Sequence, residues 1–187
     1  MASPNVDLSR YELVDFDRGA GPLKEGLWLL VSLFLFRLCP LSLSALKCTI
    51  LRSFGATVGS NVVIKPDVRI TFPWKLVVGD NVWIGEEAWL LNLAPIRIGS
   101  NACISQRAFL CTGSHDYKSP GFDLIVRPVV VEDGAWIAAS AWVGPGVRIG
   151  THAVLSAHSV TSSDLDAFGI YRGNPAVLVR RRNLAEG

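Results

Sequence analysis

Residues 131–155 read VEDGAWIAASAWVGPGVRIGTHAVL, and an aliphatic residue returns at every sixth position of this stretch. The same spacing recurs upstream, in blocks that begin at Val58, Val78 and Ile98. The full series is Val58, Ile64, Ile70, Val78, Ile84, Leu90, Ile98, Ile104, Leu110, Val131, Ile137, Val143, Ile149 and Leu155. A period of six fits neither the 3.6-residue repeat of an α-helix nor the two-residue alternation of an extended strand.

A second register lies four residues after each aliphatic position, and most of its members are small, as at Ala88, Ala102 and Ala141. Both registers are satisfied by a chain that turns a corner every six residues. The aliphatic side chain then points inward and the small residue lies at the bend, so that three hexads close one triangular coil. Glycines directly after the aliphatic residue, such as Gly85 and Gly99, are expected to ease the bends.

Three interruptions support three hexads per coil. Ile70 and Val78 are eight residues apart, as are Leu90 and Ile98, and Leu110 and Val131 are 21 apart. Each interruption follows the third hexad of a coil, so the inserted loops are predicted to emerge from one edge of the prism. Repeat proteins commonly carry their functional insertions on one face.

Composition excludes several classes of protein. The 187 residues are 50% hydrophobic and 18% charged, with a formal net charge of +2 and a mean hydropathy of +0.35. Disorder is excluded because so apolar a chain can offset the entropy of ordering. No apolar run approaches the roughly 20 residues of a membrane span, and the charge is too small to favour nucleic acid. The four cysteines lack metal-ligand spacing, which favours free thiols in the cytoplasm.

The N-terminal region carries the apolar run 27–36 (LWLLVSLFLF). Beyond it, residues 41–54 place Leu43, Leu46 and Leu51 at helical spacing, with Lys47 on the opposite side. Two interpretations stay open. The helices cap the end of the prism, or the run contacts the inner face of a membrane through Trp28, Phe34 and Phe36. We divide the chain into an N-terminal segment 1–54, a β-helix 55–175 with an inserted loop 112–130, and a basic tail 176–187.

The hexads over 58–180 resemble the left-handed parallel β-helix of the hexapeptide-repeat acyltransferases. Four segments, FGATVG (54–59), TGSHD (112–116), PGVRIG (145–150) and GNPA (173–176), are similar to sugar O-acetyltransferases, above all those of the colanic-acid and exopolysaccharide type. The resemblance implies an all-β prism with an N-terminal helical segment and a protruding active-site loop. It also implies acetyl transfer from acetyl-CoA to a sugar hydroxyl in surface-glycan biosynthesis.

Acetyl transfer to a hydroxyl needs a general base, and histidine suits this role near neutral pH. His115 lies at the root of the long insertion, in the TGSHD segment where related enzymes carry their base. Asp116 is expected to be a loop or capping residue. Asn92 lies one coil earlier at the same edge, where it either orients the base or the sugar, or is an ordinary turn residue. His152 and His158 are expected at solvated corners.

The resemblance also implies a cofactor site and a quaternary structure. Family members hold acetyl-CoA in a groove between subunits of a homotrimer, and the matching positions here are Ala139, Ala157, Ser162 and Arg180. Many relatives have a Lys beside a Thr where this chain has Ser162 and Ser163, so phosphate contacts are expected to shift toward residues 180–182, unless these form only a solvated tail. The inserted loop would overhang a neighbour, with Tyr117, Phe122 and Arg127 as candidates for acceptor contact.

Rival functions are weighed against this assignment. Zinc carbonic anhydrases share the prism, but they need three imidazoles around one metal, and His152 and His158 fall on different walls, so no metal is expected. A non-catalytic scaffold of a polysaccharide-synthesis complex could lose TGSHD and GNPA, which are intact here. An acetyltransferase for a non-sugar acceptor stays an alternative, because specificity resides in loops whose conformations the sequence does not give.

Overall fold

The computed structural model describes residues 5–13, 16–39 and 43–184, so Leu41, the predicted start of the second N-terminal helix, lies outside the described residues. Three parallel sheets form the walls of a triangular prism. Strands are numbered along the chain. The first wall contains β1 (Thr57–Val58), β4 (Leu76–Val78), β7 (Ile96–Ile98), β12 (Val129–Val131) and β15 (Arg148–Ile149). The second contains β2 (Val63–Ile64), β5 (Trp83–Ile84), β8 (Cys103–Ile104), β13 (Trp136–Ile137), β16 (Val154–Leu155), β18 (Gly169–Gly173) and β19 (Ala176–Arg181). The third contains β3 (Arg69–Ile70), β6 (Trp89–Leu91), β9 (Phe109–Cys111), β14 (Trp142–Val143) and β17 (Val160–Thr161).

The predicted fold class, a left-handed parallel β-helix of about six coils, is confirmed. Every aliphatic position of the hexad series is buried, and residues of one wall stack in register, as Ile84, Ile104 and Ile137 do. The small register is buried as well, except for Ser114, which leaves the wall where the long insertion begins. The core is therefore a column of stacked aliphatic side chains that extends through the coils.

The corners are made differently from the prediction. The glycines after the aliphatic residues do not supply the bends; the residue three positions after the aliphatic one does. Asn61, Asn81 and Asn101 occupy that place with φ between 54° and 58°, in the left-handed region where Asn is tolerated. Gly85 instead permits close stacking, because a Cβ there would lie 2.5 Å from the backbone nitrogen of Gln106 in the next coil.

The N-terminal helices cap the open end of the prism at its first coil. Helix α1 (Pro22–Val31) continues as a π-helical turn (Ser32–Arg37), and α2 (Ser44–Ser53) follows. Trp28 and Phe36 are buried, with ring centroids 5.4 Å apart, and the Trp28 indole donates a hydrogen bond to the carbonyl of Ile70 at 3.0 Å. The membrane alternative required Trp28 and Phe36 at a lipid interface, so for these two side chains it is wrong.

The prediction that Lys47 lies on the exposed side of α2 is wrong. The Lys47 side chain is fully buried, whereas Leu43 and Leu46 are exposed. Its ammonium donates to the carbonyl of Lys65 at 3.1 Å and lies 5.5 Å from the centroid of the Phe36 ring. Burial lowers the pKa of Lys47. The long aliphatic stem packs in the cap while a carbonyl satisfies the charge.

The three insertions do leave from one edge, as predicted, where the chain passes from the third wall to the first. They are residues 71–75, which include a 3-10 turn (Pro73–Lys75), residues 92–95, and residues 112–128, which form a hairpin of β10 (Gly113–His115) and β11 (Leu124–Val126). We call this edge the insertion edge, and the corner between the second and third walls the groove edge. The predicted tail begins with β19, which pairs antiparallel with β18 and closes the second wall.

Candidate active site

The hairpin of β10 and β11 carries His115 at the insertion edge. Gly113 pairs with Val126 and His115 with Leu124, so the hairpin leaves the prism as a two-stranded ribbon. Asp116 closes it, because its carboxylate accepts a hydrogen bond from the amide of Lys118 at 2.9 Å. The expectation that Asp116 is a loop residue is therefore confirmed.

The His115 ring is held in one tautomer. Its Nδ1 lies 2.8 Å from the carbonyl oxygen of Phe122. Since a carbonyl can only accept, Nδ1 carries the proton and Nε2 has a free lone pair. The imidazole also stacks on the Phe122 ring, with centroids 4.5 Å apart and an interplanar angle of 11°. Among the described residues no hydrogen bond involves Nε2, so this nitrogen can take a proton.

The three candidates for acceptor contact occupy different places. Phe122 touches His115, as described. Tyr117 lies on the hairpin loop with 74% of its surface exposed. Arg127 leaves the hairpin toward coil four, and its stem passes beside Gly146, where an added Cβ would lie 3.1 Å from the Arg127 Cδ. The structure thus brings Phe122, and not the other two, into contact with His115.

Tyr11 is a neighbour of His115 that the sequence analysis did not identify. Its ring centroid lies 5.9 Å from that of His115, and the planes are tilted by 55°. It belongs to the N-terminal segment, about a hundred residues upstream and outside any hexad, so no periodic signal could have identified it.

Asn92 does not contact His115. It is fully buried, its Oδ1 accepts the amides of Thr71 at 3.0 Å and Phe72 at 2.9 Å, and its Nδ2 donates to the carbonyl of Phe72 at 2.6 Å. The side-chain amide is therefore used to fasten the first insertion to the second. Thr112 makes a similar link, because its Oγ1 donates to Leu91 and accepts from the amide of Ala94.

A cysteine beside the site does not offer a second nucleophile. Cys111 is buried, and its thiol lies 3.1 Å from the carbonyl of Gly113. Burial raises the pKa of the Cys111 thiol, so it stays protonated near neutral pH.

A groove of about 480 Å³ runs along the groove edge and brings together Ala139, Ala157 and Arg180. Trp136 and Ile170, which belong to the second wall of the prism, also line the groove. Among the described residues no hydrogen bond uses the amide nitrogen of Ala139 or Ala157. Small side chains with free amides leave room for a polar chain and offer it main-chain donors. Trp136 was missed by the sequence analysis, although its outward position in the hexad was a usable signal.

The three terminal arginines differ in their availability. Arg181 donates to the carbonyl of Ala167 at 2.8 Å, and Arg182 to those of Gly134 and His152. The Arg180 guanidinium has no hydrogen bond or ion pair within the described part of the chain, and it lines the groove together with Arg182. Arg180 is therefore the arginine whose whole guanidinium is available to a phosphate, while Arg181 and Arg182 each use one nitrogen to fasten the end of β19 to the prism.

Ser162 is exposed and follows β17, so it lies at the insertion edge and does not line the groove of its own chain. His115 lies at that same edge. The third wall separates this edge from the groove edge, so one chain does not bring His115 and the groove together.

Metal ligands do not cluster. Within residues 5–13, 16–39 and 43–184 no group of three His, Cys, Asp or Glu side chains could hold an ion. His152 and His158 lie at two different corners of coil five with φ of 57° and 58°, which confirms the expected corner positions.

Comparison with known proteins shows which family shares this sequence and fold. No family model matches the sequence. The chain is 42% identical over 176 residues to a protein of Escherichia coli K12 named as the colanic acid biosynthesis acetyltransferase WcaF, covering 94% of this chain and 97% of that one. It superposes with a TM-score of 0.77 on a hexapeptide-repeat acetyltransferase from Vibrio cholerae complexed with acetyl-CoA, at 25% identity and with 94% and 97% of the two chains covered. A galactoside acetyltransferase in complex with coenzyme A gives a TM-score of 0.79 at 21% identity, covering 91% and 86%, and shows the fold alone.

The buried amide of Asn92 generates a prediction about stability. Asn92→Ala leaves two backbone amides and one carbonyl of the first insertion without partners, at a cost of about 1–3 kcal/mol each for those that stay dry. The thermal unfolding midpoint should fall by several degrees, since about 1 kcal/mol shifts it by roughly 2–4 °C in a chain of this size. Exposed Asn183, changed to Ala, serves as the control. An unchanged midpoint with a large loss of activity would restore the catalytic interpretation of Asn92.

Proposed function

Because the chain belongs to the hexapeptide-repeat acetyltransferase family, we propose that it transfers an acetyl group from acetyl-CoA to a sugar hydroxyl in exopolysaccharide or other surface-glycan biosynthesis. The observation that carries this proposal is the arrangement of His115: its Nδ1 donates to the Phe122 carbonyl, which leaves Nε2 free to accept a proton. The relative named for colanic acid biosynthesis supports the glycan acceptor, and the Vibrio cholerae complex supports acetyl-CoA.

The proposed reaction uses His115 as general base. The acceptor hydroxyl oxygen attacks the carbonyl carbon of the acetyl thioester while Nε2 takes the hydroxyl proton. The tetrahedral intermediate then loses the sulfur, and the proton on Nε2 passes to the thiolate. An acetyl ester and free coenzyme A result, and the histidine returns to its starting tautomer. The bond from Nδ1 to Phe122 is kept throughout and stabilises the imidazolium.

Acetyl-CoA is proposed to lie in the groove. The amides of Ala139 and Ala157 face its pantetheine amides, and Arg180 meets a phosphate. Ser162 of a neighbouring copy would complete the phosphate end, because it lies at the opposite edge. Tyr117 and Arg127, exposed on the overhanging loop, stay candidates for acceptor contact.

The separation of base and groove supports a homotrimer. In a ring of three copies each chain offers its insertion edge to one neighbour and its groove edge to the other. The third wall then faces the symmetry axis. Its outward side carries Trp89 and Phe109, stacked at 4.6 Å, with the Arg69 guanidinium 5.9 Å from the Trp89 ring. An aromatic surface of this kind favours burial against another copy.

The N-terminal segment is proposed to contact a membrane surface peripherally. Although Trp28 and Phe36 point inward, eight large apolar side chains of the cap are 40–90% exposed: Leu23, Leu27, Leu29, Leu30, Phe34, Leu38, Leu43 and Leu46. Exposed Lys24, which lies over the Trp74 ring, and exposed Arg37, which pairs with Asp67 at 3.7 Å, belong to the same segment and add positive charge that suits an anionic lipid headgroup layer. Among the described residues none of the helices has the length and apolarity to cross a bilayer. A ring of three copies would present all three caps at one end.

Removal of the base tests the reaction. His115→Ala should lower the rate of acetyl-CoA turnover with a sugar panel by roughly 10²- to 10⁴-fold. Corner residue His152, changed to Asn, provides a matched histidine control whose new residue tolerates the same φ. Turnover of His115→Ala equal to that of wild type would refute the assignment.

Subunit complementation tests the shared site. His115→Ala lacks the base, and Ala157→Trp fills the groove, so each homotrimer should be inactive. Random 1:1 mixing by refolding should restore about a quarter of wild-type activity, because every mixed trimer contains one site with both parts intact. Mixtures as inactive as their components would instead indicate that base and groove act within one chain.

Flotation with vesicles tests the membrane contact. Wild type should float with phosphatidylglycerol vesicles, and Leu30→Glu combined with Phe34→Glu should weaken binding by more than about tenfold, since each side chain contributes roughly 1.5–3 kcal/mol when buried. Val177→Glu, at an exposed apolar residue of β19, is the control. Wild type that stays unbound to every vesicle would exclude the contact.

A further inference from the structure

The N-terminal residues form a small folded unit above the active-site hairpin. Asp7 caps a 3-10 turn (Leu8–Arg10), with its carboxylate accepting from the Ser9 amide at 3.1 Å and from the Ser9 hydroxyl at 2.6 Å. The amide of Tyr11 closes the turn on the carbonyl of Leu8 at 3.2 Å. We call residues 7–11 the strap.

The strap is joined to the hairpin loop at two points besides Tyr11. The amide of Asp7 donates to the carbonyl of Pro120 at 2.9 Å. The carbonyl of Arg10 approaches Gly121 so closely that a Cβ added there would lie 3.3 Å from it. The next residue along the loop, Phe122, holds His115 through both its carbonyl and its ring. The strap therefore contacts the part of the loop that sets the orientation of the base.

From this geometry the structure assigns Tyr11 as a positioning residue for His115, an assignment that rests on the proposed function. Phe122 contacts one face of the imidazole and accepts from its Nδ1, so both of these contacts depend on the position of one loop residue. The Tyr11 ring, tilted at 55° and 5.9 Å away, adds an aromatic contact from a different segment and limits rotation of the imidazole about χ2 when the loop moves. With both contacts, Nε2 keeps one direction toward the acceptor hydroxyl.

The ring of Tyr11, and not its hydroxyl, is expected to matter. Within the described part of the chain no hydrogen bond involves this hydroxyl. A phenylalanine at position 11 keeps the aromatic contact and should behave like wild type. Leu8, in the same turn but with a side chain 65% exposed, provides a control for damage to the strap alone.

The kinetic test separates positioning from binding. Tyr11→Ala should lower kcat about tenfold or more, as expected for a misdirected base, and leave the KM for acetyl-CoA within about twofold. Tyr11→Phe should restore wild-type kcat, and Leu8→Ala should match wild type. Equal losses of kcat in the Phe and Ala variants, or in Leu8→Ala, would overturn the assignment.

A spectroscopic test does not depend on turnover. With 15N-labelled histidine, the His115 signal of wild type and Tyr11→Phe should report one tautomer, protonated at Nδ1, and that of Tyr11→Ala a mixture. An unchanged tautomer in Tyr11→Ala overturns the positioning role, whatever the activity. If wild type shows the single tautomer but transfers no acetyl group, the proposed function fails and the contact between the rings stands.

Discussion

Hydrogen bonds between one coil and the next are the interaction on which the rest of the molecule depends. Short strands of two or three residues cannot stand alone, and here those of the inner coils are paired above and below, as β8 is with β5 and β13. This pairing requires coils close enough to share amides and carbonyls. Gly85 shows how tight the approach is, since a methyl group there would meet the backbone of the next coil. The aliphatic column fills the space that this stacking encloses.

Periodicity predicted the features that repeat, and only those. The interior positions, the three hexads per coil and the single edge of insertions followed from spacing, because each reflects the same local geometry many times. Lys47 was assigned to the wrong face. A helical pattern does not show that a carbonyl of the first coil lies within hydrogen-bond distance of the Lys47 ammonium. The sequence left two roles open for Asn92, because its backbone partners, Thr71 and Phe72, become neighbours only when two insertions are stacked.

In the candidate site, too, the sequence predicted residues that belong to a local pattern and missed those that depend on a long-range contact. His115 was proposed from a local segment, and the small groove residues from the positions that match the cofactor site of the family. Tyr11 could not be found this way, since it reaches His115 only through the folding of a separate segment over the loop. For the arginines, the resemblance singled out Arg180, and the structure adds a difference that the sequence does not contain: Arg181 and Arg182 each donate to backbone carbonyls, whereas the Arg180 guanidinium in the groove does not.

The insertion edge has a consequence for how such a chain can change. Ile98 pairs with Val78 and with Val131 in one register, although 20 residues separate the first pair and 33 the second. The spacing of the coils is thus independent of how much chain leaves at this edge, whereas a single residue added within a strand would turn the inward side chains that follow it in that strand outward. Loops here can be lengthened, shortened or exchanged as cassettes, so acceptor preference can evolve on a scaffold that does not have to refold to accommodate it.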